Sequence, residues 1–244
     1  MIETAEDDAV RTVTLSRPER RNALRPADLD ALEAAVVDAD APVVYLHGAG
    51  PGFCAGADLD TVSALDDPAA FARHGQRVAR ALEASESVVV AGIDGAARGG
   101  GVELALACDL RIATPDATFA EPGVRFGRFG AWGGTVRLPR VVGEGEALDV
   151  ALSGRVVDAD EALRMGLVSR VVDDPQRVAA DLAAGAPDAL AVVKERVRSR
   201  DDRERQERAE AVAFGDLHRA HVDDIATSRA AESENAGDGG RDDA

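Results

Sequence analysis

Lysine is all but missing from this chain. Of its 28 basic residues only Lys194 is a lysine, against 45 acidic residues and a formal net charge of −17. That deficit argues against nucleic-acid binding, which depends on Lys and Arg meeting phosphates, and against attraction to anionic membranes. An Asp-rich, Lys-poor surface suits a cytoplasm of very high salt, where screening shortens self-repulsion, so we expect a salt-adapted, halophilic host. Long apolar runs are also missing; none approaches the roughly 18 residues that span a bilayer. The first ten residues, "MIETAEDDAV", are acidic and lack the basic-then-apolar order of a secretory signal. A cytoplasmic protein is expected. Aromatics make up 3% of the chain, which leaves Ala, Val and Leu to build the core. Two cysteines, Cys54 and Cys108, lie in apolar stretches and are expected as buried free thiols. Without a CxxC or a Cys/His cluster, no metal site is expected. GxGxxG and GxxxxGK[ST] are absent, so no nucleotide-phosphate cradle is expected either.

What is present alternates between apolar strands and helices. "VRTVTLS" (10–16) alternates like a strand, and "PVVYLHG" and "SVVVAGIDG" read as buried strands. "ADLDALEAAVVDAD" and residues 68–86 carry helical spacing, as do segments near 133–142 and 144–152. "LRIAT" reads as a further short strand. The pattern predicts an α/β core over residues 1–185. A highly charged helical region follows over 186–231, then an acidic, glycine-rich tail (232–244) expected to be disordered. No internal repeat is visible.

One stretch is chemically pointed. In "ARGGGVELALACDL" (97–110) three glycines run into an apolar helix, with Glu103 one turn in. A helix N-terminus carries unpaired N–H groups and a partial positive charge. Glycines at Gly99, Gly100 and Gly101 let an oxygen approach those groups closely. The helix is apolar on every side, so Glu103 is expected to be buried, at a cost of several kcal/mol or a shifted pKa. Backbone donors beside one carboxylate fit an oxyanion site with a proton shuttle. The alternative is that the glycines permit tight packing while Glu103 pairs with Arg98 or another arginine. A second stretch, "PGFCAGADL" (51–59), again places small residues after a strand. A backbone N–H near Ala57 could converge there with that of Gly100; equally, the stretch could be a tight turn with Asp58 capping the next helix.

Taken together, "LSRPERRNAL", "GPGFCAGADL", "VVVAGIDGAARGGGVELALACDLRIAT", "ATFAEPGVRFG", "GGTVRLPRVVG" and "ALSGRVVDADEALRMGLVSRVV" occur in an order and spacing that resembles the crotonase, or enoyl-CoA hydratase/isomerase, superfamily. The resemblance implies a crotonase-like spiral of ββα units, a C-terminal helical region that caps a neighbour's site, and a homotrimer or dimer of trimers. It implies an acyl-CoA thioester polarised by the N–H groups of Ala57 and Gly100, with Glu103 moving protons. It places Arg20, Asn22, Ala23, Leu24, Cys54, Ala55, Gly56, Asp58 and Leu59 along the coenzyme A channel, and Gly99, Gly123 and Trp132 near the acyl group. No metal or redox cofactor is implied.

The departures from the family pattern matter as much. Hydratases of this kind use a second glutamate directly after a proline, and here Gly123 stands in that place. Glu121, on the other side of Pro122, either swings in as a substitute or pairs with Arg125 or Arg128. Trp132 either narrows the acyl pocket or packs in the core. The implied activities are hydration of a 2-enoyl-CoA first, then double-bond isomerisation on a single glutamate, then thioester hydrolysis or decarboxylation. A non-catalytic acyl-CoA binder is the alternative of another class.

Overall fold

The computed structural model describes the backbone of residues 1–7 and 9–238 and the side chains through residue 223. The chain divides into two compact units, Met1–Pro187 and a second beginning at Asp188.

The first unit opens with β1 (Ile2–Glu6) and β2 (Val10–Leu15) as an antiparallel hairpin. After a 3₁₀ turn at Pro18–Arg20 come α1 (Pro26–Val37) and β3 (Val43–Gly48). Then follow α2 (Leu59–Ser63), α3 (Pro68–Ala84), β4 (Val88–Ile93), β5 (Ala96–Arg98) and α4 (Gly100–Ala107). Next are β6 (Leu110–Ala113), β7 (Thr118–Ala120), a 3₁₀ turn at Pro122–Phe126, α5 (Gly134–Val142) and α6 (Glu144–Ser153). The unit closes with β8 (Val157–Asp158), α7 (Ala159–Arg164), β9 (Arg170–Val171) and α8 (Pro175–Ala183).

Two sheets result, one ordered β1-β2-β3-β4-β6-β9 and one ordered β5-β7-β8. From β2 to β9 the large sheet is parallel. Parallel strands are covered on both faces, so they read as unbroken apolar runs; all six residues of β4 are buried. Each long strand is followed by a short extended piece and then a helix. The sequence runs β3, Cys54 and α2; β4, β5 and α4; β6, β7 and α5. Cys54 bridges Ala97 and β5 pairs with β7, so the short pieces stack as a second layer. This is the expected ββα spiral. The repeat escapes sequence inspection because its second strand is only one to three residues long.

α4 packs against α3 and α5, and every one of its residues is buried. That explains its lack of a polar face. Both cysteines are buried and neither is in a disulfide. α9 (Pro187–Arg198) begins at the last residue of the first unit, and the rest of it lies in the second unit with α10 (Arg203–Asp238). The α10 backbone continues past residue 232, where the tail was expected to begin, through Ala- and Glu-bearing positions that favour helix. Residues 239–244 of that tail lie outside the described residues. Among the described residues no helix is long and apolar enough to cross a membrane.

Candidate active site

The site begins where β5 turns into α4. Gly99 makes that corner at φ 48° and ψ −119°, a conformation open to glycine. Its N–H donates to the Ala120 carbonyl at 3.0 Å, while its own carbonyl accepts the Glu103 N–H at 3.0 Å. Gly100 follows as the first helical residue, with its N–H at the open end of α4.

The Cys54–Asp58 segment runs beside this corner. The Leu24 N–H donates to the Gly56 carbonyl at 2.8 Å, and the Asp58 N–H donates to the Leu24 carbonyl at 2.9 Å. In this parallel bridge the residues flanking Ala57 make the bonds, so the N–H of Ala57 itself faces the opposite edge. The β5–α4 corner lies there. Cys54 bonds Ala96 and Arg98 across that edge, and a Cβ on Gly56 would sit 2.7 Å from the Gly100 nitrogen. Among the described residues, neither the Ala57 nor the Gly100 amide donates to a protein acceptor.

Glu103 is buried directly behind the corner. One of its oxygens accepts the N–H of Trp132 at 2.8 Å and that of Gly134 at 2.6 Å. Gly133 makes the intervening bend, so Glu103 sits at the N-terminus of α5. Burial pushes its carboxyl up to about 7, with the amides of Gly134 and Trp132 and the Arg137 charge pulling the other way. The alternative pairing with Arg98 does not occur. The Arg98 guanidinium donates to the carbonyls of Ala97 and Thr118 and to the Thr118 hydroxyl. Arg137 is fixed by a two-pronged pair with Glu83, at 2.9 and 2.5 Å, and donates to the Trp132 carbonyl at 3.2 Å.

Glu121 precedes the Pro122–Phe126 turn and is buried at 6% exposure. The expected pair with Arg125 or Arg128 is not formed, and neither carboxylate oxygen has a hydrogen-bond partner. Burial first, then the Glu103 charge, pushes its carboxyl up to about 8. A Cβ placed on Gly130 would lie 3.0 Å from Oε1 of Glu103 and 3.0 Å from Oε2 of Glu121. The two carboxyls therefore meet at one wall. Gly123 is held by close packing: a Cβ there would fall 2.9 Å from the Phe129 Cα. A glutamate at that position would require the Arg128–Phe129 backbone to move.

The residues expected along the channel differ in burial and in what their side chains bond. Asn22 is buried and spends its amide on the carbonyls of Ala49, Gly52 and Phe53, so it locks loops together. Cys54 is buried with its thiol donating to the Asn22 carbonyl at 3.2 Å. Asp58 is buried, caps α2 and pairs with Arg17 at 2.7 Å. Ala23, Leu24 and Gly56 are buried too. Arg20 and Leu59 are exposed and Ala55 is half-buried; Arg20 bonds Asp60. Trp132 packs in the core, its ring between Gly75 of α3 and Gly100 of α4 and edge-on to Phe71.

Sequence reasoning gave no role to Gly130, Gly134 or the Arg137–Glu83 clamp and did not foresee a cavity of about 550 Å³. That cavity is lined by Glu121, Gly130 and Gly134 together with Val124, Phe129, Leu138, Ala147, Leu148 and Ala151, and has Arg140 and Glu144 in its wall. Besides Glu121, its signal in the sequence was the glycine pair that opens "GGTVRLPRVVG".

The sequence pattern of the family described as enoyl-CoA hydratase/isomerase matches residues 5–233. The chain is 39% identical over 149 residues to a crotonyl-CoA hydratase from Syntrophomonas wolfei, covering 58% of this chain and 57% of that protein. It is 38% identical over 149 residues to a short-chain-enoyl-CoA hydratase from Clostridium acetobutylicum, with the same two coverages, 58% and 57%. The chain thus spans less than two thirds of the length of these curated relatives. Its fold superposes on the crystal structure of an enoyl-CoA hydratase from Bacillus anthracis with a TM-score of 0.87, at 30% identity and 96% coverage of both chains. It superposes on one from Thermoplasma volcanium with a TM-score of 0.85, at 32% identity, covering 93% of this chain and 96% of that one.

Proposed function

The chain belongs to the enoyl-CoA hydratase/isomerase family, and from that premise we propose that it processes acyl-CoA thioesters through an enolate, adding water to a 2-enoyl thioester. The thioester oxygen sits between the N–H groups of Ala57 and Gly100. Two such donors stabilise the charge that develops on that oxygen, and in doing so they make the α-carbon acidic. Glu103 stands beside them and moves a proton. The apolar cavity takes the acyl chain; about 550 Å³ lies within the usual range for small-molecule pockets. Arg20, Ala55 and Leu59 flank the entrance for coenzyme A. The chemistry draws on main-chain amides and carboxylates, with no step assigned to a metal or redox cofactor.

The assembly we propose is a homotrimer or dimer of trimers, and exposed apolar residues such as Phe126, Leu152 and Val156 are available for such contacts. The acidic, Lys-poor composition supports a halophilic setting.

The observation that carries the reading is the pair of unbonded amides beside a buried carboxylate. A second reading, migration of a double bond, is favoured by Gly123 because one carboxylate suffices for it. The test is to mix the protein in molar salt with crotonyl-CoA and, separately, with a 3-enoyl-CoA. Loss of the conjugated enoyl absorbance from crotonyl-CoA is the expected result; a gain from the 3-enoyl ester would establish the second reading. Glu103→Gln is expected to lower kcat about 10²–10⁴-fold, and an unchanged rate would remove Glu103 from the mechanism.

A further inference from the structure

We infer that Glu121, reaching the site from the residue before Pro122, is the second proton-transfer group, and that Glu103 and Glu121 act as a pair at the Gly130 wall. This rests on the acyl-CoA reading above and goes beyond it, since family resemblance points to position 123 and not to 121.

Three observations carry the inference. Glu121 is more than nine-tenths buried, and neither of its oxygens has a hydrogen-bond partner. A side chain serving only to hold the fold would be paired, because burying an unpartnered carboxyl costs several kcal/mol. Glu121 also lines the cavity. Finally, it meets Glu103 across Gly130, with an oxygen of each 3.0 Å from the same point.

The surroundings assign the roles. Glu103 accepts two backbone N–H bonds and has Arg137 nearby, so it is the better anion. Glu121 faces Glu103 and has no donor, so the pair's proton rests on Glu121. The other charged groups in the cavity wall are Arg140 and Glu144.

The step then balances. Glu103 takes a proton from water as the water oxygen bonds to C3. The C2=C3 electron pair moves onto the thioester as an enolate held by the two amides. Glu121 gives its proton to C2, and the enolate returns to the thioester of a 3-hydroxyacyl group. One O–H bond of water, the C2=C3 π bond and the O–H bond of Glu121 are broken; one C–O bond, one C–H bond and an O–H bond on Glu103 are made. Afterwards the proton sits on Glu103, and its passage to the adjacent Glu121 restores the starting state.

The test compares wild type, Glu121→Gln and Glu103→Gln on crotonyl-CoA across pH, with binding of butanoyl-CoA and thermal unfolding measured alongside. Glu121→Gln is expected to keep the fold and the butanoyl-CoA affinity and to lose about 10²–10⁴-fold in kcat. The alkaline fall of the wild-type kcat/KM profile, which reports loss of the Glu121 proton, should vanish from its residual activity. If Glu121→Gln hydrates within about threefold of wild type with the same profile while Glu103→Gln is inactive, the role of Glu121 is overturned and the acyl-CoA reading stands. If wild type neither binds butanoyl-CoA nor hydrates crotonyl-CoA, the acyl-CoA reading itself falls, and the pair with it. Glu121→Asp keeps the acid but shortens its reach, so recovery of part of the lost rate would also support the pair; an Asp variant as inactive as Gln, yet folded, with the alkaline fall intact in both, would count against it.

Discussion

Glu103 and Glu121 end at the same wall, yet their neighbourhoods are opposites. Glu103 stands on a helix buried along its whole length and is held by the main-chain amides of Trp132 and Gly134, with Arg137, itself paired to Glu83, bonding the Trp132 carbonyl. Glu121 stands at the head of a short 3₁₀ turn, and among the described residues neither of its carboxylate oxygens has a hydrogen-bond partner. The first arrangement fixes a base in position. The second leaves an acid whose proton has no competing partner. The difference teaches that equally deep burial can yield distinct chemical roles, with hydrogen-bond donors deciding which group carries charge.

The comparison can be broken most severely at Gly130. Gly130→Ala places a methyl group within about 3 Å of both carboxyls and should force them apart. A misplacement of about 1 Å in a reacting group can cost about 10²-fold in rate, so a drop of that order in kcat, with unfolding temperature little changed, is expected from steady-state assays and melts. A fully active Gly130→Ala enzyme would show that the two carboxyls do not work at close quarters.

A smaller effect sharpens the contrast through stability. The Glu121 carboxyl is raised from an ordinary 4.5 to about 8 on folding, so the native state binds its proton more tightly than the unfolded chain does. Its contribution is fully present below the unfolded value and is lost as pH rises through the folded one. Wild type should therefore melt lower at pH 9 than at pH 5, whereas Glu121→Gln should show a flatter dependence. For a domain of this size each kcal/mol moves the midpoint by about 2–4 °C. Parallel curves for the two proteins in a calorimetric pH series would contradict the buried, unpartnered state of Glu121.

The same contrast governs what the sequence could reveal. Glu103 was legible because a lone charge follows three glycines in an otherwise apolar helix. Asp58 was legible as a cap, and the apolar strands β3 and β4 declared themselves. Glu121 stayed ambiguous because strand alternation does not extend through Pro122, where the chain enters a 3₁₀ turn. The edge strand β1 was missed because "IETAE" is polar and mostly exposed. β5, β7 and β8 are too short for periodicity to register. Asn22 and Cys54 carried the motif for a channel, but no local pattern announced that their side chains bond other loop segments, Asn22 to the carbonyls of Ala49, Gly52 and Phe53 and Cys54 to that of Asn22. The Gly130 wall joins residues from three separate segments, and no local pattern encodes it.

The central claim is that the amides of Ala57 and Gly100 together hold the thioester oxygen. It is tested most directly by the infrared carbonyl stretch of butanoyl-CoA, labelled with carbon-13 at the thioester carbon, free and bound to the protein. The account predicts a shift to lower frequency on binding, because two hydrogen bonds weaken the C=O bond. A bound ester whose stretch matches that of the free ester in water or lies above it would contradict the account.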